Sequence, residues 1–242
     1  MRIEVVFLPE LLHQRDLSRL TVIVFDVLRA TTTITAALAA GVTRVRIFDS
    51  VSAAQSAAAT ANPRPLLCGE IKTLRPPGFD LGNSPGEFTS EQAGREVYFA
   101  TTNGTRAAYA VRSAAHLFAG ALVNAPAVAA AAWRSRDDIL LLCSGTAGEI
   151  SLEDTLGCGA VCRELLALGE TALANDAAKI AERLFLSAAD HLPDVLRDGQ
   201  GGHNIIAAGL EPDIDFCARF AEIPVVGVAE QDAAGIWFRR DI

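Results

Sequence analysis

No stretch of this sequence is long and apolar enough to cross a bilayer. Its longest apolar runs, such as Thr21–Phe25 and Ile139–Cys143, have the length of a strand, against the roughly 20 residues that a spanning helix needs. No run of Lys and Arg occurs either, and the formal net charge is −8 with only four His. That excludes nucleic acid as the main partner, because phosphate-backbone binding needs a concentrated basic surface. The opening apolar run carries Glu4, Pro9 and Glu10 and has no signal-peptide core, so a cytoplasmic location without membrane attachment is expected. Five cysteines, Cys68, Cys143, Cys158, Cys162 and Cys217, make an odd set. Cys158 and Cys162 have no second Cys or His pair beside them to complete a zinc site. A chain of 242 residues that is 50% hydrophobic can bury a core without disulfide staples, and free thiols are expected.

What is present is an alternation. Short β-branched runs (Ile3–Leu8, Thr21–Asp26, Arg44–Phe48, Pro65–Cys68, Glu96–Ala100, His116–Phe118, Asp138–Cys143, Val225–Val228) alternate with Ala-rich stretches of helical length. Those helices are read at Thr32–Ala40, Val51–Ala61, Thr105–Arg112, Ala125–Arg134, Leu152–Ala167 and Thr171–Ser187. The pattern predicts an α/β class, a three-layer α/β/α sandwich. From Thr171 to Cys217 the chain becomes helix-rich, followed by a strand pair near Val225–Val228 and Ile236–Arg239. No Pro/Gly/Ser linker and no internal repeat separates these parts, so residues 1–242 are read as one domain that can carry two lobes. The Ala-rich helix faces would suit a helix-packed homodimer. The segment from Ile71 to Phe88 crowds Pro76, Pro77, Gly78, Gly82, Pro85 and Gly86 and predicts a long loop with apolar anchors, of the functional kind.

Four segments place polar groups just after a predicted strand, where α/β sheets bind ligands. The first is Phe25-Asp26-Val27-Leu28-Arg29-Ala30-Thr31-Thr32-Thr33. Asp26 can hold a metal or attack phosphorus, and Arg29 can grip an oxyanion; the bland alternative pairs Asp26 with Arg29 and makes Thr31 a helix cap. The second, Thr101-Thr102-Asn103-Gly104-Thr105-Arg106, is an anion cradle at a helix start, or else only a well-capped turn. It is not a nucleotide loop of the G-x-x-x-x-G-K-[ST] kind. The third runs from Cys143 to Asp154 and offers Glu149, Glu153 and Asp154, with Ser151 and Asp154 reading as a cap. A thiol phosphatase would need Arg where Glu149 stands. The fourth joins Glu70 to the loop Gly78-Phe79-Asp80-Leu81-Gly82-Asn83-Ser84-Pro85. Carboxylates gathered beside Arg and Thr donors are self-consistent if a hard cation and an oxyanion bind together, and Mg²⁺ is the natural ion. His203, with Asn204, could supply an acid, though a lone His is more often a packing residue.

Taken in order, the motifs Phe25–Thr33, Gly78–Pro85, Thr101–Ala107 and Ser151–Asp154 resemble the 2-phosphosulfolactate phosphatase family, with a less distinctive similarity at Asp213–Ala218. The resemblance implies an Mg²⁺-dependent hydrolase that converts (R)-2-phospho-3-sulfolactate to 3-sulfolactate and phosphate, a step toward coenzyme M. It also implies a layered α/β/α fold with the site in a cleft between lobes. On that reading Asp26 with Glu70, Glu149 or Asp154 holds the metal, while Thr101, Thr102, Asn103, Gly104 and Thr105 cradle an anionic end. Arg29 and Arg106 grip acid oxygens, Asp80 and Asn83 close the pocket, and Thr31 and Ser84 line it. Catalysis falls to Asp26, Arg29, Asp80 and Glu149, and Arg29→Ala is expected to damage turnover with the fold intact.

Competing readings are a phosphatase for another small phospho-hydroxy acid and a non-catalytic binder of small dianions. A haloacid-dehalogenase-type phosphatase would need a second Asp where Leu28 stands. A plain anion binder gains nothing from Glu70, Asp80 and Glu149.

Overall fold

The computed structural model describes residues 1–241. Its strands are β1 (Arg2–Val6), β2 (Leu20–Phe25), β3 (Arg44–Phe48), β4 (Leu66–Gly69), β5 (Glu96–Ala100), β6 (His116–Gly120), β7 (Asp138–Cys143), β8 (Ala172–Leu173), β9 (Gly227–Asp232) and β10 (Gly235–Arg240). The helices are α1 (Ala30–Ala39), α2 (Val51–Thr60), α3 (Asn103–Ala110), α4 (Ala125–Arg134), α5 (Leu152–Ala167), α6 (Asp176–Ala188), α7 (Leu192–Asp198), α8 (Gln200–Ala207) and α9 (Glu211–Cys217). No helix among the described residues is long and apolar enough to cross a membrane.

All the strands join one sheet in the order β4-β5-β3-β10-β9-β6-β2-β7-β1-β8. Two parallel blocks, β4-β5-β3 and β6-β2-β7-β1-β8, are joined by the antiparallel β9–β10 hairpin, which pairs antiparallel with β3 on one side and β6 on the other. The blocks therefore run in opposite senses. Five strand steps lie between β5 and β2, and a twist of roughly 20–25° at each step swings their carboxyl ends toward one another.

Alternation along β2 shows why helices cover both faces. Ile23 and Phe25 face a core with Val128 of α4, Leu156 of α5 and Phe185 of α6. Val22 and Val24 face the opposite core with Ile34 and Leu38 of α1 and Ala107 of α3. A strand buried on both faces must be largely apolar, and Leu20–Phe25 reads LTVIVF, its one polar residue, Thr21, donating to Ser135 Oγ at 2.7 Å. The layers are therefore α/β/α, as the alternation predicts. Polar residues of α1 survive burial because their hydroxyls are satisfied locally: Thr32 Oγ1 donates to the Val27 carbonyl at 2.8 Å and Thr35 Oγ1 to that of Thr31 at 2.8 Å. The alanines of α1 and α4 are largely buried within the chain, against the sheet.

Several boundaries differ from the sequence reading. The expected helix at Thr171 begins at Asp176, because Ala172–Leu173 instead extends the sheet beside β1 and Asn175 caps the helix through Oδ1, which accepts from Ala178 N at 2.9 Å. The Val225–Val228 strand is shifted to Gly227–Asp232. The first strand ends at Val6, before a 3-10 turn at Pro9–Leu12.

Candidate active site

Asp26 follows the last residue of β2, and the turn into α1 is built around it. Its backbone N–H donates to Thr31 Oγ1 at 3.1 Å, Thr31 Oγ1 donates back to the Asp26 carbonyl at 2.9 Å, and Ala30 N donates to Oδ1 at 3.2 Å. Thr31 is thus occupied as the clasp of this turn. Across the cleft, the Gly104 backbone lies close to the Asp26 carboxylate, and its N–H favours the charged form of that acid. Close approach needs glycine there, since a Cβ would stand 2.9 Å from Asp26 Oδ2 and 3.1 Å from Ala30 Cβ. The carboxyl ends of the two blocks meet at this contact.

A cavity of about 80 Å³ opens here, lined by Asp26, Leu28, Arg29, Glu70, Thr73, Asn83, Asn103, Thr146, Gly201, Asn204 and Ile205. Arg29 forms its floor and is 3% exposed. Its Nη1 donates to Asp213 Oδ2 at 2.6 Å and to Ser84 Oγ at 3.2 Å, and its Nη2 donates to the Thr73 carbonyl at 2.6 Å. Ser84 Oγ also donates to Asp213 Oδ2, at 2.7 Å. Two of the five guanidinium N–H groups have no partner among the described residues. Asn83 is buried, with Oδ1 unpartnered. Glu70 accepts Thr73 N at 2.8 Å.

Behind Thr146 and Gly201 lies Glu153, 2% exposed. Thr146 Oγ1 donates to its Oε1 at 3.4 Å, while Oε2 is buried with no partner. Gly201 packs directly on this carboxylate, and a Cβ there would collide with it. Burial, then the charges of Glu70 and Glu153, push the Asp26 carboxyl up from 3.8 to about 6, against the lowering effect of its N–H donors. Burial likewise raises Glu153 and Asp154.

Other residues singled out in the sequence lie elsewhere. Asp154 accepts Val27 N at 2.8 Å and Ser144 N and Gly145 N at 3.1 Å each, so its oxygens tie β2, β7 and α5 together instead of facing the cavity. Glu149 is exposed on a turn closed by its own backbone bonds to Thr146. Asp80 turns outward, accepting Leu67 N at 2.8 Å and pairing with Arg64 at 3.2 Å. Arg106 is exposed and pairs with Glu10 at 3.3 Å. Thr101 and Thr105 are buried against each other at 3.1 Å, Thr102 is exposed, and Asn103 reaches the cavity. His203 is exposed, whereas Asn204 lines the cavity. The cysteines are buried and free, with burial raising the Cys143 thiol, which is the opposite of what a nucleophilic thiolate needs.

The four-carboxylate metal set read from the sequence is therefore not assembled. Among the described residues, no group of three or more His, Cys, Asp and Glu is placed to hold one ion. Asp26 and Glu70 do share the cavity, and Mg²⁺ asks for only one or two carboxylates, completing its shell with water and substrate oxygens. The unpartnered Oδ1 of Asn83, which lines the same cavity, fits an oxygen-seeking ion there.

Residues 6–232 match the family described as 2-phosphosulpholactate phosphatase. The "Probable 2-phosphosulfolactate phosphatase" of Symbiobacterium thermophilum is 37% identical over 215 residues, covering 88% of this chain and 92% of that protein. The protein of the same name from Deinococcus radiodurans is 38% identical over 224 residues, covering 91% and 90%. That from Thermus thermophilus is 39% identical over 210 residues, covering 86% of each chain.

Proposed function

Because this chain belongs to the 2-phosphosulfolactate phosphatase family, we propose that its cavity hydrolyses the phosphate monoester of (R)-2-phospho-3-sulfolactate, giving 3-sulfolactate and phosphate, with Mg²⁺ held by Asp26 and Glu70. A cytoplasmic location and a role in supplying coenzyme M precursors go with this reading. The observation that carries the metal is the charge of the cavity. Asp26, Glu70 and nearby Glu153 are acidic, and the one lining arginine, Arg29, is neutralised at 2.6 Å by Asp213. A substrate with several negative groups would be repelled from such a place unless a cation entered with it.

Bound Mg²⁺ supplies neutralisation of the phosphoryl oxygens during displacement. The chain supplies orientation. Arg29, locked by three partners, presents its two remaining N–H groups in a fixed plane suited to acid oxygens. Asn83 and Asn103 add amide groups to the lining, and Asn204 and Ile205 of α8 complete it. The backbone bonds around Asp26 hold its carboxylate without rotamer freedom, so little ordering remains when substrate binds.

The test is phosphate release from phosphosulfolactate and a panel of small phospho-acids, with Mg²⁺ and then with EDTA. Mg²⁺-dependent release that favours phosphosulfolactate is the expected result. Preference for another phospho-acid would keep the chemistry and replace the substrate. Binding without turnover of any of them would overturn the enzyme reading in favour of a dianion-binding protein.

A further inference from the structure

Glu70 to Arg75 forms a short flap between the cavity and solvent. Ile71 and Leu74 pair through backbone bonds of 2.9 and 3.2 Å, and the turn between them places Lys72 and Thr73 in the left-handed region, at φ 49° and 75°. Glu70 accepts Thr73 N, and the Thr73 carbonyl accepts from Arg29. The flap is thus pinned on its inner side to the floor of the cavity, and it carries Lys72 at the mouth.

Lys72 is one of two lysines in the sequence, the other being Lys179. Lys179 pairs with Asp176 at 2.9 Å, Arg29 with Asp213, Arg106 with Glu10 and Arg64 with Asp80. Lys72 makes no ion pair and donates no hydrogen bond among the described residues. Beside it lies a cleft of about 290 Å³ shared with Asp49, Ser50, Glu70, Thr101 and Thr102. This cleft reaches Thr101 and Thr102, just before the start of α3, so two hydroxyls and an ammonium border the same space. Glu70 lines both this cleft and the catalytic cavity, and Thr102 precedes Asn103, which lines the cavity.

We propose that Lys72 is a specificity-determining residue: it binds the second acid group, sulfonate or carboxylate, of a phospho-acid whose phosphate sits at Asp26 and Glu70. The assignment rests on the phosphatase reading of this cavity and names what distinguishes its substrate from other phosphate esters. The short carbon backbone of a phospho-hydroxy acid keeps its two charged ends within reach of neighbouring subsites, and Lys72 is the basic residue lining this cleft.

The test compares wild type, Lys72→Met and Lys72→Arg on 2-phospho-3-sulfolactate and on p-nitrophenyl phosphate, whose tail carries no second acid. In Lys72→Met the ratio of kcat/KM for the first ester over the second is expected to fall roughly tenfold, through KM, as for loss of one charged hydrogen bond. Lys72→Arg restores most of it, and calorimetry shows weaker binding of 3-sulfolactate, with inorganic phosphate binding as in wild type. An unchanged ratio in Lys72→Met, with wild type active, overturns the role of Lys72 alone. Absence of phosphate release by wild type overturns the phosphatase reading, and the substrate role of Lys72 with it.

Discussion

Arg29 joins parts of the chain that are far apart in sequence. One guanidinium bonds the flap through Thr73, the proline-rich loop through Ser84 and α9 through Asp213. The expectation that Arg29→Ala leaves the fold intact therefore needs revision, since removal would leave Asp213 buried without its counter-charge. Breaking a buried pair by deleting one partner costs about 3–5 kcal/mol. Both Arg29→Ala and Asp213→Ala are expected to lower the unfolding free energy by such an amount in chemical melts, with Asp213→Ala also reducing turnover because Arg29 loses its orientation. Asp26 and Arg29 were legible in the sequence because a carboxylate closing a buried strand has few structural uses. Glu153 was not, since an acid in the first turn of a helix already has an ordinary explanation. The glycines at 199 and 201 were the available sign that something packs closely against that turn.

Among the elements, α8 and α9 explain the helical tail, which the sequence left without a task. Gly201, Asn204 and Ile205 of α8 complete one wall of the cavity, and Asp213 of α9 anchors its floor. The strands were readable because β-branched runs of that length bury on both faces. The edge strand at Ala172–Leu173 was not, because two residues carry no period. Helix packing is tightest where α5 meets α6. A Cβ on Gly159 would collide with the Ala181 carbonyl and stand 2.8 Å from Phe185 Cβ, and neither the carbonyl nor a Cβ fixed to its own backbone can turn aside. Gly159→Ala is expected to destabilise by roughly 1–3 kcal/mol through overpacking, visible as a thermal midpoint several degrees lower. A midpoint equal to wild type would show that the two helices separate easily.

The whole molecule gathers acid groups at one point, and this sets its response to pH. Folded Asp26 titrates at about 6 instead of 3.8, and Glu153 and Asp154 are raised as well. The folded state therefore holds more protons than the unfolded state between those values, and stability present below about pH 4 is lost as pH rises through about 6. With divalent ions removed, melting temperature should fall across that window. Adding Mg²⁺ at pH 7.5 should restore about 2.7 kcal/mol at a hundredfold excess over its dissociation constant. At pH 5 protons compete for the same oxygens and the gain should be smaller. Equal gains at both pH values would argue against carboxylate ligation.

The β9–β10 hairpin has a consequence for biogenesis. These strands lie in the middle of the sheet, yet they span Gly227–Arg240, so a ribosome releases them after every strand they join. Until then the facing edges of β3 and β6 hang unpaired, able to template another chain. The nascent polypeptide must carry two half-sheets with Asp26 and Glu70, which share the cavity, still apart. Enzymatic competence would arrive abruptly with the last strands, and a chaperone that shields open edges would be of most use just before that moment.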